Sequence, residues 1–121
     1  MAATNFKETS VFKKAFGLGM EIFRVSKKIP KEETYSLTDQ IRRSSRSVCA
    51  NIAEAYRKRR YSAHFISKIS DSDAENSETQ VWLLFSVECG YMDKSVYQKL
   101  LNESEEVGRL LNHMMDYPEK Y

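Results

Sequence analysis

Apolar residues recur at alternating spacings of three and four along four successive stretches of this chain, and that periodicity is helical throughout. In the first stretch Val11, Ala15, Leu18, Ile22, Val25 and Ile29 make one stripe, and Phe12, Phe16, Gly19 and Phe23 make a second beside it. A helix apolar over so wide an arc touches more than one neighbour, and Pro30 with the polar residues after it closes the segment. The second stretch places Leu37, Ile41, Ser45, Val48, Ile52 and Ala55 on one face. Its other faces carry Ser44, Ser47, Cys49, Ala50 and Ala53, small side chains that let another backbone approach closely. The third stripe is Phe65, Ile69, Ser72, Asn76, Thr79, Leu83 and Val87, so its middle is polar. Buried polar groups need partners, and the Ser-rich second segment is the expected supplier. The fourth stripe is Val96, Leu100, Val107, Leu111 and Met114, ending before Pro118.

Four Gly and two Pro leave room for few turns in 121 residues. Gly90 reads as the residue just past a helix end and Asp93 as the next N-cap, with Met92 stapling onto Tyr97. No strand pattern, repeat or low-complexity segment competes. The expectation is one all-α domain over residues 1–121, an antiparallel up-down-up-down four-helix bundle with helices at about 8–28, 33–57, 61–89 and 94–116.

The N-terminus has neither the basic nor the apolar region of a signal peptide, and no 18-residue apolar run offers a membrane span, so a cytoplasmic protein without a membrane partner is expected. Cys49 and Cys89 lack metal-ligand spacing and read as small buried hydrophobes. Neither phosphate-binding glycine motif, GxxxxGK[ST] or GxGxxG, occurs, and no Glu-x-x-His marks a di-metal bundle site. No catalytic residue, metal or cofactor is expected, and the chain is read as a non-enzyme.

Charge is unevenly placed. Residues 1–68 hold 15 Lys and Arg against 6 Asp and Glu, whereas residues 69–121 hold 4 against 11. The two halves can pair with each other, or the basic half can present a surface to a polyanion. Asp71, Glu75 and Glu78 lie on one face of the third segment, and Trp82 continues that stripe. Folding the second and third segments into a hairpin about Lys58–Arg60 puts Glu75 level with Arg43, Asp71 near Arg46 and Ser47, and Glu78 near Gln40 and Arg42. A structural ladder of ion pairs follows, because facing arginines hold the acids ionised. The stripe of Arg43, Ser47, Ala50 and Glu54 is either solvated or a subunit contact.

"YRKRRY", residues 56–61, sets Arg57, Lys58, Arg59 and Arg60 between tyrosines. Cations beside aromatics suit phosphate contact with stacking on an unpaired base. The same cations can complement the C-terminal dipole of the second helix.

"QIRRSSRSVCANIAEAYRKR", residues 40–59, resembles the signature of the four-helix-bundle proteins encoded in intervening sequences of bacterial 23S rRNA genes, and "ENSETQVWLLFSVECGY", residues 75–91, resembles that family's second block. The resemblance covers nearly the whole chain. It implies a four-helix bundle that assembles as a barrel-shaped homopentamer. The relatives it implies include the accessory variability protein of diversity-generating retroelements, a basic pentamer that works with a reverse transcriptase and nucleic acid. Gln40, Arg43, Asn51, Glu54 and Glu78 match the family's motif positions and are read, with Asp71, Glu75 and Trp82, as structural or interface residues. Ala55 stands where the family usually has Gly, which lets the second helix run further toward the basic cluster. Ala74 and Glu75 stand where many members have Gly-Ser, making the third helix bulkier and more acidic.

Two functions remain open. One is an oligomeric accessory factor that binds RNA or DNA, for which Arg42, Arg46 and Arg57–Arg60 are expected on one exposed face. The other is an oligomeric scaffold for a protein partner, such as a nucleic-acid enzyme, without nucleic-acid contact of its own.

Overall fold

The first helix is set by a single hydroxyl: Thr9 Oγ1 accepts the Phe12 N–H at 3.2 Å and caps α1 (Ser10–Ser26). The computed structural model describes residues 5–121 and adds three further helices, α2 (Asp39–Arg57), α3 (Ser62–Glu88) and α4 (Lys94–Asp116). α1 is shorter at both ends than its periodicity suggested. Phe6–Glu8 forms a separate 3₁₀ turn, and Ser26 rather than Lys28 is the last helical residue. A 3₁₀ turn at Lys31–Glu33 and a wider π-helical turn at Thr34–Thr38 lead into α2, and both Leu37 and Thr38 of that wider turn are buried. α4 has the expected limits.

Gly90 has φ of 81°, the left-handed conformation. The Tyr91 N–H reaches the Ser86 carbonyl at 2.8 Å and the Gly90 N–H reaches Val87 at 3.0 Å, the paired bonds of a Schellman ending. Asp93 has the backbone of an N-cap, but its carboxylate accepts no capping hydrogen bond. Met92 and Tyr97 both pack against the same apolar cluster.

Each helix runs antiparallel to the neighbours it packs on. Rising positions on one pair with falling positions on the next: Ser44 with Thr79 and Glu54 with Lys68 between α2 and α3, Lys14 with Glu106 and Glu21 with Lys99 between α1 and α4. α2 contacts α1 and α3, and α4 contacts α3 and α1, which closes a four-helix bundle.

The core has two apolar ends and a polar middle. One end gathers Val11, Ile52, Phe65, Ile69, Leu111 and Met114 with their neighbours, and the other gathers Leu18, Ile22, Ile41, Leu83 and Leu100. Ser44, Ser45, Asn76, Thr79 and Ser104 lie between, all buried. Every buried side-chain polar atom among the described residues has a partner. The Thr79 and Ser44 hydroxyls are hydrogen-bonded at 2.8 Å, and Ser72 donates to the Val48 carbonyl at 2.8 Å. Asn76 departs from expectation. Its partner is α4, not the Ser-rich α2: Asn76 Nδ2 donates to the Ser104 carbonyl and Ser104 Oγ donates to Asn76 Oδ1, each at 2.9 Å.

Three further details differ from the periodic reading. Val25 and Val87 are only half-buried, and Ser26 and Ser86 occupy the interior in their place. Ser86 satisfies itself by donating to the Trp82 carbonyl at 2.8 Å. Cys89 is exposed because it caps the end of α3, and Cys49 is half-buried at the edge of α2, so neither is a core residue.

Two glycine substitutions should act in opposite directions in urea unfolding. Gly90→Ala forces a Cβ into the left-handed region and should destabilise by roughly 1–2 kcal/mol. Gly17→Ala, on the exposed face of α1 with nothing near the added methyl, should stabilise by about 0.5–1 kcal/mol.

Candidate functional site

Successive residues of α2 turn by about 100°, which separates the arginines of "QIRRSSR" onto two sides of the helix. Arg43 faces α3. Its guanidinium bridges Glu75, at 2.9 Å, and Glu78, and the Trp82 indole N–H donates to the same Glu78 carboxylate at 3.4 Å. The expected Arg43–Glu75 rung is present, and Arg43 takes Glu78 as well. Glu78 does not pair with Gln40 or Arg42.

Arg42 and Arg46 face α1 instead. Arg42 Nε donates to Ser26 Oγ at 2.8 Å, and its guanidinium lies 4.9 Å from the Phe23 ring centroid. Arg46 lies 5.9 Å from the same ring, and Lys27 covers it at 4.7 Å. The expected Asp71–Arg46 rung is therefore absent. Asp71 pairs with Lys68, one turn back on its own helix, at 3.5 Å, and Lys68 also reaches Glu54 at 3.5 Å. Asn51 donates to the Ser47 carbonyl of its own helix at 2.9 Å. Gln40 lines a shallow depression with Arg42, Arg43, Arg46 and Ser47.

The four consecutive cations end α2 and form the turn into α3. Arg59 is committed locally: it donates to the Tyr56 carbonyl at 2.9 Å and stacks 3.9 Å over the Tyr56 ring. Arg57, Lys58 and Arg60 are exposed, with Tyr61 and His64 beside them, their rings 5.6 Å apart. Arg46 and Arg57 are separated by eleven residues of helix, about 16 Å. The basic residues thus form two groups along α2, one around Phe23 and one at the α2–α3 turn, and Arg46 and Arg57, about three turns apart, lie on nearly the same side of that helix.

A feature missed in the sequence is an apolar groove between α1 and α2. It encloses about 450 Å³ and is lined by the second stripe of α1, by Phe6 and Met20, and by Cys49, Ala50 and Ala53 of α2. The signal was available, because a stripe of Phe residues faced a helix of small residues. Burial pushes the Cys49 thiol up to about 11. Glu33 is held below the usual carboxylate range by hydrogen bonds from Ser36 and Tyr91, and the Tyr91 hydroxyl is raised to about 12 by the same bond, which ties the start of the α2 segment to the α3–α4 turn. Among the described residues no group of three or more His, Cys, Asp and Glu side chains is placed to hold a metal ion, and no helix is long and apolar enough to cross a membrane.

Residues 7–113 match the profile of the 23S rRNA-intervening sequence protein family. Among solved structures, a protein of unknown function from the S23 ribosomal protein family of Bacteroides thetaiotaomicron VPI-5482 is similar, with 28% identity and a TM-score of 0.78 over 87% of this chain and 97% of that one. No curated protein matches the chain significantly.

The Arg43 bridge is half exposed to solvent, so its contribution to stability is small. Arg43→Ala should destabilise by less than about 1 kcal/mol in urea unfolding at low salt, and the difference should shrink in 1 M NaCl. A loss of about 3 kcal/mol would instead mark a buried, obligatory pair.

Proposed function

The chain belongs to the 23S rRNA-intervening sequence protein family, and we propose that it works as a non-enzymatic homo-oligomer that contacts RNA or DNA as an accessory to another enzyme. The resemblance that implied a homopentamer makes a five-membered assembly the expected form. The carrying observation is the α2–α3 turn, where Arg57, Lys58 and Arg60 project beside the exposed Tyr61 while Arg59 braces the helix end. Those groups provide phosphate charge and a stacking surface. One copy offers a weak site. An assembly repeats it, and avidity multiplies weak contacts.

A second reading, a scaffold for a protein partner, is favoured by the exposed apolar side chains Phe16, Met20, Val81, Leu84 and Phe85. Fluorescence anisotropy with a labelled generic oligonucleotide separates the two. Binding should appear at low salt, weaken steeply as salt rises, and fall at least about tenfold in an Arg57→Ala, Lys58→Ala, Arg60→Ala variant, with a shallower salt slope. Absent binding at low salt, or equal binding by the variant, would leave the scaffold reading in place.

A further inference from the structure

We propose that copies of this chain associate head to tail, with the outer stripe of α3 from one copy seated in the α1–α2 groove of the next. The inference rests on the oligomeric reading above and specifies its interface.

The two surfaces are matched in shape and chemistry. The groove is concave, walled by Phe12, Phe16, Met20 and Phe23 and floored by the small side chains of Ala50 and Ala53. Phe16 is 53% exposed and Met20 is 38% exposed, a cost in water for a chain that stays alone. The stripe is convex. Val81, Leu84 and Phe85 stand at i, i+3 and i+4 on the solvent side of α3 and are 47%, 49% and 53% exposed. A third helix laid between two others is ordinary helix packing, and the small residues of α2 let it approach.

Charge sets the direction. At one end of the groove Lys27, Arg42 and Arg46 surround Phe23, and none of the three forms an ion pair among the described residues. At one end of the stripe stands Glu88, exposed and likewise without an ion pair among the described residues. From Phe16 to Phe23 is seven residues, and from Val81 to Glu88 is seven, so both spans rise about 10 Å. With α3 of the neighbour parallel to α1, Val81 meets Phe16, Leu84 and Phe85 meet Met20, and Glu88 reaches the three cations. Desolvation of the apolar groups drives the contact, and the carboxylate fixes its register.

A nucleic acid at the Phe23 cations would leave the α3 stripe uncovered, whereas a second copy covers both. The groove and the stripe are different patches of the surface, so a groove–stripe contact is heterologous: each copy has one of each to offer, and repeated contacts make a ring when their rotation closes.

The experiment uses Phe16→Glu to block the groove and Leu84→Glu to block the stripe, each measured by light scattering with a circular-dichroism melt. Both side chains are about half exposed and outside the core, so both variants should melt near wild type. Each alone should raise the concentration for half-assembly by roughly a hundredfold or more and run as a monomer. Mixed together they should form a 1:1 heterodimer and stop, because the groove variant keeps its stripe and the stripe variant keeps its groove. If either charged variant melts early, Phe16→Ser and Leu84→Ser carry the same expectation. A variant that assembles like wild type, or a mixture that stays monomeric or grows past the dimer, overturns this pairing and leaves the oligomer standing. A wild-type chain that is itself monomeric overturns the oligomeric reading and this interface with it, and assigns both surfaces to another partner.

Discussion

Asn76 and Ser104 exchange two hydrogen bonds of 2.9 Å where α3 packs on α4, in the middle of an otherwise apolar core. Gln80 adds a third, donating to Ser104 Oγ at 2.9 Å. On the other side of α3, Thr79 and Ser72 bond to α2. Apolar contacts stabilise this bundle at both ends, but they tolerate sliding. A buried amide facing a buried hydroxyl does not, because any shift leaves polar atoms unpaired at about 1–3 kcal/mol each. The polar middle therefore ties three helices to one relative height. It also separates the two apolar clusters.

Everything on the surface inherits that register. Arg43 sits level with Glu75 and Glu78 because Ser44 sits level with Thr79. Arg42 before it and Arg46 after it turn toward α1 and are held around Phe23 by Ser26 and the aromatic face. A family-motif stretch thus divides its cations between a structural bridge and an open basic rim beside an apolar groove. The α2–α3 turn keeps a separate basic group at the end of the bundle. These are different tools: the rim sits at the end of an apolar groove and suits a protein surface, while the turn sits in water beside an exposed tyrosine and suits a phosphate backbone.

Much of this was legible in the residues. The stripes of Ile, Leu and Val located all four helices, Gly90 announced its left-handed ending, and the hairpin count found the Arg43–Glu75 rung. What failed depended on rotation rather than height. Equal distances from a turn place residues at one level, but Arg46 and Asp71 point to different sides of their helices, so level did not become contact. Asn76 was read against the Ser-rich α2, yet its angle around α3 faces α4, where a lone Ser104 carried no pattern to draw attention. The groove needed two helices side by side before a Phe stripe and a run of small residues became one cavity. Cys89 is exposed although thiols outside metal and redox motifs are usually buried, because it lies just past the last residue of α3, at the cap.

The polar middle couples α3 to α4 as a unit, and a double-mutant cycle on Asn76 and Ser104 tests that coupling most directly. Urea unfolding of Asn76→Ala, Ser104→Ala and the double variant gives the interaction energy. The double variant should be more stable than the sum of the single losses requires, with a coupling of about 1–2 kcal/mol, because removing the Ser104 hydroxyl leaves Asn76 Oδ1 unpaired and removing Asn76 leaves that hydroxyl without its acceptor. Losses that add within about 0.3 kcal/mol would contradict it, and would leave the register of α3 on α4 to the apolar contacts between them.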